Sequence, residues 1–383
     1  MEYLLNQLVN GICQGAIYAM MAIGYSVVVG VVGMVTFTHG EVIMIGAFAA
    51  YYAFEMAGNH ILLGIIFSFS AAWLVGVCVY KICYEQFFNA PRNISMLCTI
   101  GFSMVVKNLA QIVFGPNQKP MLNIVDNKIY KLGVVQISTV QIVVVITVVV
   151  SATVLSFFFN KTRWGIRLRA VSQDKTAAYM VGVNVKRTAM VGNCVGCALA
   201  GVSGMLLSIY YQTLQATMGG SLGMKAFSSS VLGGLTDIRF SALGGLCLGV
   251  IETLGITVSS ASFRDIFAFI FLILMLLIRP EGFASKNGVG ASAVDGVCQG
   301  IGYTLVLIVM CVFREFFGSG KFGGGLLGGG ALGSAPGITI FPEEFGIKIL
   351  TMPVGGFLTL GALIALMQWA MAKSNAKKEK EAK

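Results

Sequence analysis

Residues 8–35 read LVNGICQGAIYAMMAIGYSVVVGVVGMV, without a single charged side chain. A helix crosses the hydrocarbon of a bilayer with roughly 20 apolar residues, at about 1.5 Å of rise each, so this stretch is long enough to span. No basic segment precedes it and no small-residue cleavage site follows, so it does not read as a signal peptide. The same criterion finds runs near 38–57, 61–80, 96–115, 136–159, 189–213, 240–258 and 263–279. A weaker Gly/Ser-rich run at 224–236 reads as a short or re-entrant piece, and two further runs follow Pro280, near 296–313 and 350–372. The expected fold is all-α: a polytopic transmembrane helix bundle of about 8–9 segments before Pro280, with two more helices after it.

Composition agrees. Of 383 residues, 56% are hydrophobic and 11% charged, and the mean hydropathy is +0.83. A water-facing surface needs about twice that share of charge. This excludes an ordinary cytosolic enzyme, a disordered chain and a nucleic-acid binder. The excess of 26 Lys+Arg over 16 Asp+Glu points to cytoplasmic loops and anionic lipid headgroups as its counterpart. Nine Cys suggest no secreted disulfide framework, because no pair sits in a long polar loop.

Basic residues orient the set. The loop 160–188 carries Lys161, Arg163, Arg167, Arg169, Lys175, Lys186 and Arg187 against the single acid Asp174, and is assigned to the cytoplasm. Counting back places 81–95 inside and the N-terminus outside. Counting forward places Arg279 inside only if 224–236 also crosses, and the Lys-rich tail 373–383 then lies inside too. The loop 116–134, with Lys119, Lys128 and Lys131, is discordant, since it falls outside. Small residues crowd the first and sixth runs: Gly11, Gly15, Gly24 and Gly30 in one, Gly192, Gly196, Gly201 and Gly204 in the other. Helices in lipid associate where small side chains let backbones approach, which predicts a tightly packed bundle.

Asn10, Gln14 and Tyr18 recur at i, i+4, i+8 and share one helix face. Polar groups at that depth form either a solute path or a glue between helices. In Thr36-Phe37-Thr38-His39-Gly40-Glu41, His39 and Glu41 make no metal site at i, i+2 spacing; capping of the second helix by Thr38, with Glu41 at its third position, fits better. Cys194 and Cys197 have redox spacing but sit in an apolar, Gly-rich helix, where a thiol behaves as a small hydrophobe. With His60 the only other histidine and no phosphate-binding glycine loop of the Walker type, no catalytic residue, metal or cofactor is assigned.

The strongest local signal is the basic loop. Residues 162–184 read as a short amphipathic helix, then Gly182 as a helix stop, then re-entry into the bilayer. Ala177, Ala178 and Gly182 make a compact helix-turn able to fit a partner's groove. A docking element and a merely positive inner loop both remain open on this reading.

At this loop the sequence resembles the permeases of branched-chain amino acid ABC transporters, whose coupling loop follows T-x-x-G-x-x-x-R-A-V-x-Q-D-x-x-A-A-x-x-x-G-x-N. The pattern falls on Thr162, Gly165, Arg169, Ala170, Val171, Gln173, Asp174, Ala177, Ala178, Gly182 and Asn184, with Arg163 and Arg167 between. Asn10-Gly11 through Gly15 to Tyr18-Ala19, Phe37-Thr38-His39-Gly40-Glu41 (with Thr38 for the usual Ala), Ala226 to Gly245 and Arg279-Pro280-Glu281-Gly282 are similar to the same family in the same order. The resemblance covers about 1–282. It implies a membrane permease of an ATP-driven importer in the bacterial inner membrane, with separate ATPase subunits on the loop, a second permease and an extracytoplasmic solute-binding protein. ATP hydrolysis would belong to those ATPases.

The remainder is similar to something else. Phe283 to Asn287, Asp295-Gly296, Gly302-Tyr303-Thr304 and Arg314 to Gly320 resemble the C-terminal third of a membrane subunit of Rnf/Nqr electron-transport complexes. The cluster-ligand cysteines of that family lie upstream, in a portion absent here, and Cys298 and Cys311 do not match them. The chain therefore reads as a permease, 1–282, joined to a fragment, 283–383. Within the fragment, the Gly-rich stretch 320–333 is expected to be a flexible outer loop. The alternative function is a membrane subunit of an ion-translocating electron-transport complex. A third reading, an ion-coupled secondary transporter, would need buried acids, for which Glu252 is the one candidate.

Overall fold

The structure is a computed structural model. It describes residues 2–278 except 59, 89–91, 122–123, 125–127, 133–134 and 259–263, and beyond them 301, 304, 308–313, 315–318, 321–322, 338–339, 359 and 361. The chain divides into two compact units, Met1–Ala293 and Val294–Lys383.

The first unit is a helix bundle with small strand pairs at one end. Its long helices are α1 (Glu2–Val32), α2 (His39–Ala57), α3 (Ile61–Val79), α4 (Arg92–Phe114) and α5 (Thr139–Lys161), then α8 (Val185–Tyr211), α9 (Met218–Gly233), α10 (Ile238–Val258) and α11 (Arg264–Ile278). Two short helices, α6 (Arg163–Gln173) and α7 (Lys175–Met180), fill the basic loop. The chain is an all-α polytopic membrane protein. Among the described residues, six helices are long and apolar enough to cross a membrane unaided: α1, α3 with its continuation to Glu85, α4, α5, α8 and α10. Residues 224–233 of the run at 224–236 lie within α9, whose 16 residues carry a largely buried face, and the run ends in the turn that follows.

Packing follows the small residues. A Cβ on Gly15 would come within 2.8 Å of the Leu246 carbonyl oxygen, and one on Gly24 within 2.7 Å of that of Gly196. Those two crossings let the α1 backbone lie directly on α10 and α8, replacing side-chain interdigitation by backbone contact. Gly201 and Gly204 do the same for α8 against α2 and α3. Gly30 does not fit this pattern; a Cβ added there would stand 3.7 Å from the Thr236 carbonyl oxygen, an ordinary contact. As a result α1 from Cys13 onward and most of α8 are interior. By contrast α3, α4 and α5 expose apolar side chains such as Leu62, Ile112 and Ile146, a surface suited to lipid or a neighbouring helix.

The expected cap at Thr38 is not made. Thr38 precedes α2, but its backbone is helical and its hydroxyl lies 2.9 Å from that of Thr36. Glu41 turns to the Ser103 hydroxyl, 3.5 Å away. A capping box occurs instead at α5, where Ser138 Oγ accepts from the Gln141 N–H and Gln141 Oε1 from the Ser138 N–H. The residues before it, expected to be helical from 136, form a hairpin of β2 (Ile129–Leu132) and β3 (Val135–Ser138). A second pair, β1 (Lys119–Pro120) with β4 (Thr213–Leu214), joins the loops after α4 and α8.

These contacts define two ends of the bundle. The Gln136 N–H donates to Asn6 Oδ1, so the hairpin lies with the start of α1. At the opposite end, Lys175 Nζ donates to the Val32 carbonyl at the end of α1, so α7 lies there. The discordant Lys119 is held by aromatic rings: it donates to the Tyr52 hydroxyl at 3.1 Å and stands 5.1 Å from that ring's centre. The hydroxyl holds its ammonium above the usual lysine range, so this cation has a local protein partner and carries little topological information.

In the second unit the described helical residues include 308–313 and 315–318, where the Phe313 and Phe317 rings pack at 5.0 Å. Strand β5 (Lys321–Phe322) pairs with β6 (Ile338–Thr339). Residues 279–300, the Gly-rich 323–333, Arg314 and the tail 373–383 lie outside the described residues, and with them the expectations placed there.

Candidate functional site

Two places among the described residues of the first unit gather several charged side chains. The first is a buried ion network at mid-helix. Lys225 on α9 is 6% exposed and Glu252 on α10 is 0% exposed. A charge in such surroundings is costly unless paired and hydrogen-bonded. Lys225 Nζ lies 3.0 Å from Glu252 Oε1 and 2.8 Å from Asp265 Oδ1 on α11, and 3.2 Å from the Tyr18 hydroxyl. Glu252 Oε1 also accepts from Gln14 Nε2 at 2.8 Å and from the Tyr18 hydroxyl at 3.2 Å. Arg264 Nε stands 3.3 Å away, and its guanidinium lies 5.0 Å from the Tyr211 ring centre. Two cations and two carboxylates thus meet where α1, α9, α10 and α11 converge.

The structure brings Gln14 and Tyr18 into this network but not Asn10. Asn10 Oδ1 accepts from Gln141 Nε2 on α5 at 2.6 Å, a bond between two helices. Sequence reasoning misses Lys225, Arg264 and Asp265, and finds Glu252 only as a solitary acid. A lysine shortly after the Gly219-Gly220 pair, inside an apolar run, is the available signal; it falls in the segment that reads as weak.

The second place is the loop 162–184, built almost entirely from local bonds. Thr162 caps α6 by accepting from the Gly165 N–H at 3.1 Å. Gly165 is required because a Cβ there would strike the carbonyls of Phe158 and Phe159. Asp174 Oδ1 accepts from the Thr176 and Ala177 N–H groups and so starts α7. Asn184 Oδ1 accepts from the Arg187 N–H and starts α8. Gly182 has φ +83°, the left-handed geometry of a helix stop. Leu168, Val171 and Ala178 are buried, anchoring both short helices to the bundle. Arg163, Arg167, Arg169, Gln173 and Ala177 face outward, and Ala170 is half-buried. Arg167 lies over the Trp164 ring at 5.3 Å. Tyr179, Met180 and Val181, each at least 74% exposed, form an apolar knob beside a groove of about 910 Å³ lined by Phe88, Lys175, Asn184 and Lys186.

The family described as branched-chain amino acid transport system / permease component matches residues 7–278. The chain belongs to that family. The permease protein LivH of the high-affinity branched-chain amino acid transport system of Salmonella typhimurium is 32% identical over 297 residues, 74% of this chain and 96% of that protein. Its counterpart BraD of Pseudomonas aeruginosa is 34% identical over 295 residues, again 74% and 96%. A second family, described as Rnf-Nqr subunit, membrane protein, matches residues 250–364. A component of the ion-translocating oxidoreductase complex of Rhodobacter capsulatus is 44% identical over 92 residues, 24% of this chain and 38% of that protein. No solved structure matches. The permease is thus a multi-pass transport subunit of an ABC import system, and such systems work with ATPases and a binding protein. It carries Rnf-Nqr sequence at its C-terminal end.

Proposed function

We propose that the permease imports branched-chain amino acids or related small solutes, and that its ATPase partners dock on residues 160–188. The observation that carries this is the loop's construction: three side-chain caps and three buried anchors hold a small two-helix platform rigid, while its arginines and the 179–181 knob face outward. Lys175 joins that platform to the end of α1, the helix that carries Gln14 and Tyr18. Movement of the platform by an ATPase would therefore act directly on the helix that lines the solute path, for which Gln14 and Tyr18 are the candidates. The basic loop faces the cytoplasm and the N-terminus the outside; a second permease and a solute-binding protein complete the importer. The C-terminal portion from about 283 is an appended fragment.

The test is Arg167→Glu with Arg169→Glu in the reconstituted importer. Solute-stimulated ATP hydrolysis should be abolished while membrane insertion is unchanged; hydrolysis coupled as in the parent refutes docking at this loop. The match at 250–364 favours a second reading, a subunit of an ion-translocating electron-transport complex. Purified protein with the absorbance of bound iron–sulfur would support that reading instead.

A further inference from the structure

The ion network is unevenly saturated. Four groups crowd Glu252 Oε1: Gln14, Tyr18, Lys225 and Arg264. Its other oxygen, Oε2, is buried and has no hydrogen-bond partner among the described residues. A carboxylate can accept about four hydrogen bonds shared over both oxygens, so one side of this group is overloaded and the other bare. Arg264 Nε is the mirror case. It lies within ion-pair distance of Glu252 Oε1 but is not aligned to donate to it, and its N–H has no hydrogen-bond partner among the described residues. A buried acceptor and a donor, each lacking a partner, are expensive features to keep.

We infer that this network is a recognition site for zwitterionic amino acids, in which Glu252 Oε2 takes the α-ammonium and the Arg264 guanidinium takes the α-carboxylate. The inference rests on the importer reading above and names the group of atoms that distinguishes its solute.

Three observations favour that ligand over a simple ion. First, the site holds two cations, Lys225 and Arg264, and two anions, Glu252 and Asp265. A balanced site in a low-dielectric interior takes a dipolar, net-neutral solute without stranding a charge, whereas a lone cation or anion would leave one uncompensated. Second, the two unsatisfied atoms are of opposite kind, as ammonium and carboxylate require. Third, the network is continuous from the sealed Glu252 to Asp265, whose side chain is 54% exposed. An arriving zwitterion can exchange partners along that line, so no charge needs to enter the interior alone. Gln14 and Tyr18 then act as positioning residues: by holding Oε1, they leave Oε2 to the solute.

The probe is photo-leucine, a diazirine analogue of leucine, added to the complete importer in nanodiscs and mapped by mass spectrometry. Adducts should appear on α1 and α10 around Gln14, Tyr18 and Glu252. Excess leucine should suppress them at least tenfold, whereas 4-methyl-2-oxopentanoate, which lacks the ammonium, should not. Glu252→Gln keeps the shape and the bonds to Oε1 but removes the charge, and should cut labelling at least tenfold. Assembly with the ATPases, followed by co-purification, reports whether that variant has folded. Because a folding defect would mimic the loss, the competition in unaltered protein stands as an independent arm. Equal suppression by the oxo acid, adducts confined to other helices, or undiminished labelling of Glu252→Gln each overturns the inference; these are the outcomes if the network only holds helices together or binds water alone. Failure of the importer reading itself would show separately, as absence of ATP-driven leucine uptake by the unaltered complex.

Discussion

Two lysines reach α1, one at its middle and one at its end. Lys225 is sealed from solvent and held by two carboxylates and a phenol. Lys175 is half-buried and donates to the backbone carbonyl of Val32, at 2.5 Å, where the negative end of the helix dipole lies. The same side chain thus does two jobs on one helix. In a dry interior its charge must be matched one for one, which fixes the lateral packing of α9, α10 and α11 around α1. At the helix terminus the partner is a partial charge shared over a helix turn, which ties α7 to α1 but leaves room to move. The first contact specifies a structure; the second suits transmission of motion.

Removing each in turn separates these roles. Lys225→Met leaves Glu252 and Asp265 with Arg264 as their one nearby cation among the described residues. It should destabilise the bundle by about 3 kcal/mol, the low end for breaking a buried pair, read as a lower denaturation midpoint in detergent. Adding Glu252→Leu should restore at least half of the loss, because an apolar pair is tolerated where a half-pair is not. A single variant as stable as the parent would show that the carboxylates do not need Lys225. Lys175→Met should cost only about 1 kcal/mol, yet lower solute-stimulated ATP hydrolysis severalfold with the ATPases still bound. Unchanged coupling would remove Lys175 from the transmission route. The smallest effect is expected from truncation after Gly282, which touches neither lysine: uptake should stay within twofold of the full chain at equal expression. A truncated protein that inserts but does not transport would make the appended segment part of the importer.

The helices are legible in the sequence because a membrane helix announces itself by length and apolarity, and the loop 162–184 because its caps are local: Thr162, Asp174 and Asn184 each bond within three residues. The hairpin 129–138 is not legible, since Gln136 and Ile137 flow into the apolar run of α5 without a break; only the Ser138 cap marks where helix begins. Thr38 and Glu41 have the spacing of a capping box, but Thr36 and Ser103 outcompete it through contacts remote from that spacing. The ion network is half visible. Gln14 and Tyr18 share a face, but the partners that give the face its chemistry lie more than 200 residues away, and no local periodicity reports a pairing at that range.

The separation of Lys225 from its carboxylates also bears on how the chain enters the membrane. Lys225 is synthesised 27 residues before Glu252, and Asp265 comes later still. When α9 emerges, its lysine has neither acid to meet, and a lone lysine at mid-helix opposes insertion by about 2.5–3.5 kcal/mol. Gln14 and Tyr18 are already in place on α1, but Tyr18 offers the ammonium only a neutral oxygen. Stable lodging of α9 is therefore a concerted event with α10 and α11, and the last three helices of the permease enter the bilayer as a charge-balanced unit.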